Sequence, residues 1–224
     1  VVIIKRMSSA IYWFNRDLRL KNNYTLLKAI EDNQVILPVF IMDNDYWEKT
    51  FPNGSAKMSQ NRKTFILQAL FDLKQQLIAL GSNLLILSGE PKKVLKSIVE
   101  KTNINTIYTS NEPDYDFQKK IKEISFFSTV VNPFDNFLYH PDNVSFNALE
   151  TDAIFSNFRK KVEKYGEILP QKNFNYFPKL PALTYNFNEF NDLLNKALEI
   201  KLRFTGGESE ALNRVKYFIH KSKL

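Results

Sequence analysis

The chain has no cysteine, and its 224 residues include only two histidines and six glycines. Without thiols there is no disulfide framework, no iron–sulfur cluster, no Cys-ligated zinc and no cysteine nucleophile. His140 and His220 lie far apart, and neither has the second histidine four residues away that a helical metal site uses. The sequence therefore predicts no metal centre.

Glycine-rich phosphate loops are also missing, since neither G-x-G-x-x-G nor G-x-x-x-x-G-K-[ST] occurs. A nucleotide-dependent dehydrogenase or a P-loop NTPase is thereby disfavoured. No triad and no pair of catalytic carboxylates stands out either. We expect no catalytic residue in this chain.

Long apolar runs are absent as well, because no stretch approaches the ~20 residues that a membrane helix needs. At the N-terminus, Val1–Ile4 is followed at once by Lys5 and Arg6, so a signal-peptide core is missing. Met7 is more typical of a natural initiator residue than Val1 is. Residues 1–8 are expected to be a disordered or vector-derived N-terminus. The chain is expected to be soluble and cytoplasmic, with no membrane partner.

The net charge is +7, and the isoelectric point is about 9.3. The lysines are spread along amphipathic segments rather than clustered, which favours solvated helix faces. Any binding to DNA is expected to be weak, nonspecific and sensitive to salt.

The first 135 residues alternate between strand and helix patterns. The predicted strands are 10–14, 35–42, 84–87, 106–109 and 126–131. The predicted helices lie around 26–30, over 58–80, from Pro91 onward and over 117–124. This alternation indicates α/β architecture, a Rossmann-like doubly wound five-stranded parallel sheet with flanking helices. Pro38 argues against the second strand, because proline cannot donate a ladder hydrogen bond.

Ligands of parallel sheets bind outside the carboxyl ends of the strands. The loops that begin at Asn15, Asp43, Gly89 and Ser110 are therefore the places to expect a site. After Val131 the pattern changes to a long connector, with a helix around 155–162 and a last helix from Glu208 to Ile219.

Five segments, in order, resemble the photolyase/cryptochrome family. They are W-F-N-R-D-L-R-L at 13–20, L-P-V-F-I-M-D at 37–43, R-x-x-F-I at 62–66 with L-x-D-L at 70–73, L-G-S-N-L at 80–84 and G-E-P at 89–91, F-S-N-F-R-K-K-V-E at 155–163, and F-T-G-G-E at 204–208 with A-L-x-R at 211–214. The first and last are the most specific, and the fourth is similar to the DASH-type cryptochromes. Asn15-Arg16 departs from the two arginines, or Arg-Asn, that are usual in the family, and Asn22 replaces an aspartate.

The resemblance implies a domain organisation. It makes residues 9–147 the α/β antenna domain, 148–205 a connector with a helix, and 206–224 the first helix of a flavin-binding helical domain. The rest of that domain, which holds the family's FAD, is not in this sequence. FAD is therefore expected only if that domain is supplied in cis or in trans. Deoxyribodipyrimidine photo-lyase activity, or blue-light sensing, is expected of a full-length relative and not of this chain alone.

The same resemblance implies an antenna chromophore in the α/β domain, either methenyltetrahydrofolate or a deazaflavin or flavin. Asp116 stands where folate-binding members place a glutamate, so its carboxylate is a candidate acceptor for pterin N–H groups. A loop gap would move Glu112 or Asp114 into that role. Alternatively, Asp114 and Asp116 only cap the following helix.

Further candidate cofactor-binding residues stand on the other loops at this edge. They are Asn15, Arg16, Asp43, Lys57, Met58, Arg62 and Asn111. The structural alternatives are that Met58 belongs to the core and that Arg62 is a surface residue. Asp17 is expected to fix the first loop, and Glu208 to be a carboxylate in the first turn of the last helix.

Two other functions remain open at this point. One is a non-enzymatic module that binds a nucleotide, a flavin or a protein. The other is one half of a split photolyase that assembles with its flavin half through residues 187–222. An absorbance spectrum and a mixing experiment with a flavin-domain chain separate these alternatives.

Overall fold

A five-stranded parallel sheet lies at the centre of the chain, in a computed structural model that describes residues 8–135, 138–139, 154–168, 170, 172–182 and 184–221. The strands are β1 (Ser9–Phe14), β2 (Val35–Asp43), β3 (Leu85–Gly89), β4 (Thr106–Tyr108) and β5 (Thr129–Val131). Their order is β3-β2-β1-β4-β5, with every neighbouring pair parallel. This doubly wound order confirms the α/β prediction.

Eight helices connect and flank these strands in the described residues. They are α1 (Tyr24–Asp32), α2 (Asn44–Trp47), α3 (Gln60–Ala79), α4 (Pro91–Thr102), α5 (Tyr115–Ile124), α6 (Phe155–Tyr165), α7 (Asn191–Glu199) and α8 (Glu208–Lys221). The expectations for residues 1–7, for 136–137 and for 140–153 fall outside the described residues.

Local signals set the helix ends. The Asn23 side chain accepts the Leu26 N–H at 3.0 Å and so caps α1. Pro91 occupies the first position of α4, as predicted. Gly81, with φ of +76°, lets the chain leave α3, while the Ser82 N–H donates back to Leu77 at 2.9 Å.

The alternating side chains of the strands fill two separate apolar layers. On one face, Tyr12, Phe40 and Ile86 pack with α1, α3 and α7. On the other, Trp13 and Val39 pack with α4 and α5. Because both faces are covered, the strands read as nearly continuous apolar runs.

Pro38 is tolerated because its missing N–H faces a gap in the ladder. Ile36, two residues earlier, donates its N–H to the Lys179 carbonyl at 3.0 Å. The backbone N–H groups of alternate residues in a strand face the same side. The nitrogen of Pro38 therefore faces the same side of β2 as the N–H of Ile36. The pairing with β3 begins only at Val39, opposite Leu85, and no ladder bond is lost.

Two segments differ from the sequence prediction. The fifth strand begins at Thr129 and not at Phe126, whose side chain is 88% exposed in the turn after α5. Helix α7 lies in a part of the connector for which the sequence predicted no helix. Its Leu194 and Ala197 are buried against the layer that contains α3.

Candidate functional site

A cleft of about 410 Å³ opens at the carboxyl edge of the sheet, where the connections after β1 and β4 run to opposite faces. Such a switch point is where doubly wound folds bind ligands. The cleft lining comes from the loop after β1, the end of β2 with α2, the loop and first turns of α3, and the start of α5.

The structure brings seven of the eight candidate residues to this cleft. They are Asn15, Arg16, Asp43, Lys57, Met58, Arg62 and Asp116. Asn111 does not line it. The Asn111 side chain instead accepts a hydrogen bond from Gln118 Nε2 at 2.7 Å, and its backbone N–H donates to the Pro133 carbonyl at 3.2 Å. Asn111 thus holds the loop after β4 in place.

Aromatic side chains form much of the cleft wall. They are Trp13, Phe40, Tyr46, Trp47, Phe51 and Phe117. The rings of Trp13 and Phe117 lie 5.9 Å apart between centroids, and both side chains are buried. Sequence reasoning missed Tyr46 and Trp47, because a four-residue helix such as α2 has no detectable periodicity.

An ion pair between Asp43 and Lys120 joins the end of β2 to α5. The same lysine ammonium lies 4.8 Å from the centre of the Tyr46 ring, and that of Lys57 lies 5.9 Å from it. Lys120 was also missed by sequence reasoning. It follows Asp116 by one helical turn, so its place beside the cleft could have been found from that spacing.

The surroundings of Tyr46 raise the pKa of its phenol. Partial burial raises its pKa, and the nearby Asp116 and Asp114 raise it further, against the opposing effect of Lys120 and Arg16. A phenol with an ordinary pKa near 10 is already protonated at neutral pH, and the rise keeps it so, which leaves the Tyr46 hydroxyl able to donate a hydrogen bond.

Three carboxylates follow β4, and the structure separates their roles. Arg16 binds Asp114 at 2.7 Å and approaches Glu112 at 3.7 Å, which ties the loop after β1 to the start of α5. Asp114 also accepts the Phe117 N–H at 2.8 Å, so the predicted capping role is confirmed for this residue. Within the described ranges, the Asp116 side chain has no hydrogen bond or ion pair, and it is exposed to the cleft.

The buried carboxylate of Asp17 holds the loop after β1 in place. It accepts hydrogen bonds from the Tyr12 hydroxyl at 2.8 Å, the Asn23 amide at 3.1 Å and the Ser110 hydroxyl at 2.5 Å. The Asn15 N–H adds a fourth at 3.1 Å. Burial raises the Asp17 pKa, and the hydrogen bonds from Ser110, Asn15 and Tyr12 oppose that rise.

A second, more apolar groove of about 630 Å³ lies between the loop after β1, α3 and α8. We call it the α8 groove. Glu208 anchors α8 here, since its two carboxylate oxygens each accept a backbone N–H at 2.9 Å, from Leu20 and Lys21. Five residues line both the groove and the cleft, namely Asn15, Arg16, Phe40, Arg62 and Ile66.

A family model described as DNA photolyase matches residues 10–181. The chain belongs to the DNA photolyase family. Its five-stranded sheet with flanking helices is the N-terminal α/β domain of photolyases and cryptochromes. Proteins of this family bind a flavin and antenna chromophores.

Among curated photolyase-family proteins, the chain is similar to the DASH cryptochromes. It is 27% identical to the chloroplastic/mitochondrial cryptochrome DASH of Arabidopsis thaliana, over 96% of this chain and 40% of that protein. It is 29% identical to the corresponding protein of Ostreococcus tauri, over 95% of this chain and 47% of that protein. The chain thus spans less than half the length of these relatives.

Solved structures of the family share this fold. The cryptochrome of Synechocystis sp. superposes with a TM-score of 0.80 at 24% identity, over 97% of this chain and 47% of that one. The photolyase of Sulfolobus tokodaii superposes with a TM-score of 0.75 at 23% identity, over 95% and 46%. The Sulfolobus tokodaii structure contains two FAD molecules, which imply a novel light-harvesting cofactor in that protein. In the described parts of the present chain, none of the helices is long and apolar enough to cross a membrane.

Proposed function

We propose that the cleft binds a light-absorbing antenna chromophore and that this chain is the light-harvesting domain of a photolyase or DASH-like cryptochrome. The observation that carries the proposal is the convergence of seven candidate residues on one aromatic-walled cleft. They come from separate segments of the sequence, and only the fold brings them together.

The cleft suits a flat conjugated ring in size and in chemistry. Its volume of about 410 Å³ lies within the roughly 300–1,000 Å³ typical of small-molecule sites. Tyr46, Trp47 and Phe51 are partly or largely exposed in the cleft and offer surfaces on which a ring system stacks. The residues present therefore fit the pterin of methenyltetrahydrofolate and the ring of a deazaflavin or flavin.

The polar residues of the cleft would orient such a ring. The Asp116 carboxylate is available to accept hydrogen bonds from ring N–H or amino groups, and the neutral Tyr46 hydroxyl is available to donate one. Arg16 and Lys120 are already bound to Asp114 and Asp43, so they hold the cleft walls in position. The bound chromophore supplies the absorption of light and passes the excitation energy on.

The acceptor of that energy belongs to a partner domain. Beside the α8 groove, α8 exposes Val215, Phe218 and Ile219, each more than half exposed. We propose that a helical, FAD-binding domain covers this face, in cis or in trans. Light-driven DNA repair or blue-light signalling would need both parts, whereas the chain alone would bind DNA weakly and nonspecifically.

Titration of the full chain with 5,10-methenyltetrahydrofolate and with flavin mononucleotide (FMN) tests the proposal. We expect one of them to bind at micromolar concentration, with a shifted near-ultraviolet or blue absorbance band and quenching of Trp13 and Trp47 fluorescence. The Ile66→Trp variant, which adds bulk at the cleft wall, should weaken binding while circular dichroism stays unchanged. Absence of binding by a folded wild-type chain would refute the proposal.

A further inference from the structure

The connection between α2 and α3 contains the one Asn-Gly pair of the sequence, Asn53-Gly54. We call residues 50–57 the Phe51 loop. Residues 50–56 are all exposed to solvent, whereas Phe51 and Lys57 also line the cleft. A chemical change at Asn53 would therefore take place in a segment that forms part of the cleft wall.

A tight turn presents Asn53 at the tip of this loop. The Gly54 N–H donates to the Phe51 carbonyl at 2.9 Å, and the Phe51 N–H donates to the Ser55 carbonyl at 2.8 Å. Pro52 and Gly54 stand at the second and fourth positions of the turn, where proline and glycine are favoured. Because these residues are exposed, the turn opens locally without disturbing the core.

The side-chain carbonyl of Asn53 is polarised by Ser55. Its Oδ1 accepts the Ser55 N–H at 3.1 Å and the Ser55 hydroxyl at 2.7 Å. Donors on a carbonyl oxygen stabilise the negative charge that develops there when a nucleophile attacks the carbon. Within the described residues, the Asn53 amide nitrogen has no hydrogen-bond acceptor, so nothing in that part of the chain holds it as a leaving group.

Gly54 leaves its own backbone nitrogen open to react with that carbonyl. Glycine has no Cβ to shield the nitrogen, and the space where a Cβ would lie is empty to 4 Å. The bond from the Gly54 N–H to Phe51 must open first, because the nitrogen has to turn toward the side chain and lose its proton. This single exposed bond is the barrier that the folded turn adds.

We infer that Asn53 is a deamidation site of the folded chain and that Ser55 assists the reaction. The Gly54 nitrogen, after losing its proton to solvent base, forms a bond to Cγ of Asn53. The Cγ–Nδ2 bond breaks, and the amide nitrogen takes up a proton from water and leaves as ammonia. Water then opens the cyclic imide at one of its two carbonyls and gives aspartate or isoaspartate. Water is the only co-reactant, and no electrons are exchanged.

Both products change the Phe51 loop. Each adds a carboxylate beside the cleft, and isoaspartate also adds a methylene group to the backbone of the turn. The longer backbone no longer matches the spacing of the bond between Phe51 and Ser55. We therefore expect deamidation to loosen this wall of the cleft slowly and irreversibly.

Incubation of the full chain in warm, mildly alkaline buffer, followed by peptide mass spectrometry, tests the inference. Trypsin cleaves after Lys49 and Lys57 and releases residues 50–57 as one peptide, in which the acid products differ from the amide in mass. A synthetic peptide of the same sequence is the reference. We expect the folded chain to react at Asn53 no more than about tenfold more slowly than this peptide, since one exposed hydrogen bond must open. A rate below that limit would overturn the inference.

Asn186 is a matched control within the same sample. It is exposed, and its Oδ1 accepts the N–H of the second residue along, Asn188, at 3.0 Å, but Phe187 follows it in place of a glycine. Asn186 should stay amidated while Asn53 reacts. Equal reaction at both sites would overturn the inference, because exposure of an asparagine would then be sufficient.

Two variants assign the roles of the neighbours. Gly54→Ala should suppress the reaction, because a Cβ shields the attacking nitrogen. Ser55→Ala should slow it by about threefold relative to the corresponding Ser55→Ala peptide, since the hydroxyl donor is lost only where the fold holds it in place. An unchanged rate in Gly54→Ala would overturn the site, and an unchanged or faster rate in Ser55→Ala would overturn the assistance by Ser55.

These rates are measured without a chromophore, so they decide the deamidation site whether the proposed function holds or fails. The effect on the cleft is measured by repeating the chromophore titration on the deamidated chain, for which we expect weaker binding than for the fresh chain. Equal binding would overturn the effect on the cleft and leave the deamidation site in place.

Discussion

The side-chain oxygen of Gln68 accepts a hydrogen bond of 3.0 Å from the backbone N–H of Gly206, 138 residues further along the chain. The amide nitrogen of the same side chain donates to the carbonyls of Ala197 and Ile200 at 2.9 and 3.0 Å. One buried glutamine of α3 therefore fixes both the end of α7 and the start of α8.

Replacing Gln68 by alanine should lower the free energy of unfolding by about 2–3 kcal/mol, because a buried N–H and two carbonyls lose their partner. Urea unfolding followed by circular dichroism measures the change. Gln75→Ala is the matched control, since Gln75 is an exposed residue of the same helix. An equally stable Gln68→Ala would show that the three bonds are not needed to hold α7 and α8.

Gly206 is required because α3 and the chain before α8 approach closely. A Cβ atom at Gly206 would lie 2.0 Å from the Phe65 carbonyl oxygen. Gly206→Ala should therefore release α8 from α3 and make the segment around 200–207 sensitive to protease. Gly54→Ala should cost only about 1 kcal/mol, since Gly54 has φ of +80° but open space around it. Equal protease resistance of the two variants would contradict this.

The Asp17 carboxylate should make stability depend on pH in a defined direction. Burial raises its folded pKa above the ordinary value of 3.8. The folded state then holds the proton at pH values where the unfolded state has lost it. The Asp17 contribution to stability is therefore largest below its unfolded pKa, and it falls as the pH rises through the folded pKa. Tyr12, whose own pKa is raised by burial and by Asp17, stays protonated throughout this window.

The measurement compares the wild type with Asp17→Asn, which does not titrate, from pH 3.5 upward. The wild-type advantage in unfolding free energy should shrink as the pH rises. Asp45→Asn is a control of opposite sign, because Lys49 lowers the Asp45 pKa and a contribution from Asp45 is lost on acidification. A wild-type advantage over Asp17→Asn that grows with pH would contradict the assignment.

Asp116→Asn should weaken binding of the chromophore about tenfold, since the ring would lose a charged hydrogen-bond acceptor. The variant should stay as stable as the wild type, because Asp116 has no ion pair or hydrogen bond within the described residues. Asp192→Asn is the control, since it changes an exposed first-turn aspartate of α7, away from the cleft. Equal affinities of the wild type and Asp116→Asn would exclude Asp116 as the ring acceptor.

The sheet and most of the cleft follow from patterns that the sequence carries directly. Apolar runs such as Val35–Asp43 predict buried strands, and the rule that ligands bind at strand carboxyl ends places Asn15 and Asp43 at one edge. Family resemblance then adds Asp116. Apolar runs and strand ends are local patterns, and the family motifs are shared by many relatives, so the sequence alone is enough to predict these features.

The missed features depend on long-range partners. Gln68 looks like any helical glutamine until Ala197 and Gly206 are brought beside it. Helix α7 is short and is stabilised by burial of Leu194 and Ala197 rather than by its own pattern. The fifth strand was predicted three residues too long because an apolar run such as Phe126–Phe127 does not reveal that Phe126 faces solvent.

Five residues line both the cleft and the α8 groove, so the two cavities share part of their walls. Arg62 and Arg16 belong to both walls, so a rotamer that suits a ligand on one side alters the shape offered on the other. If the cleft binds a chromophore and a helical domain covers the α8 groove, as proposed, a change in one affinity caused by the other ligand must be matched by an equal factor in the reverse direction.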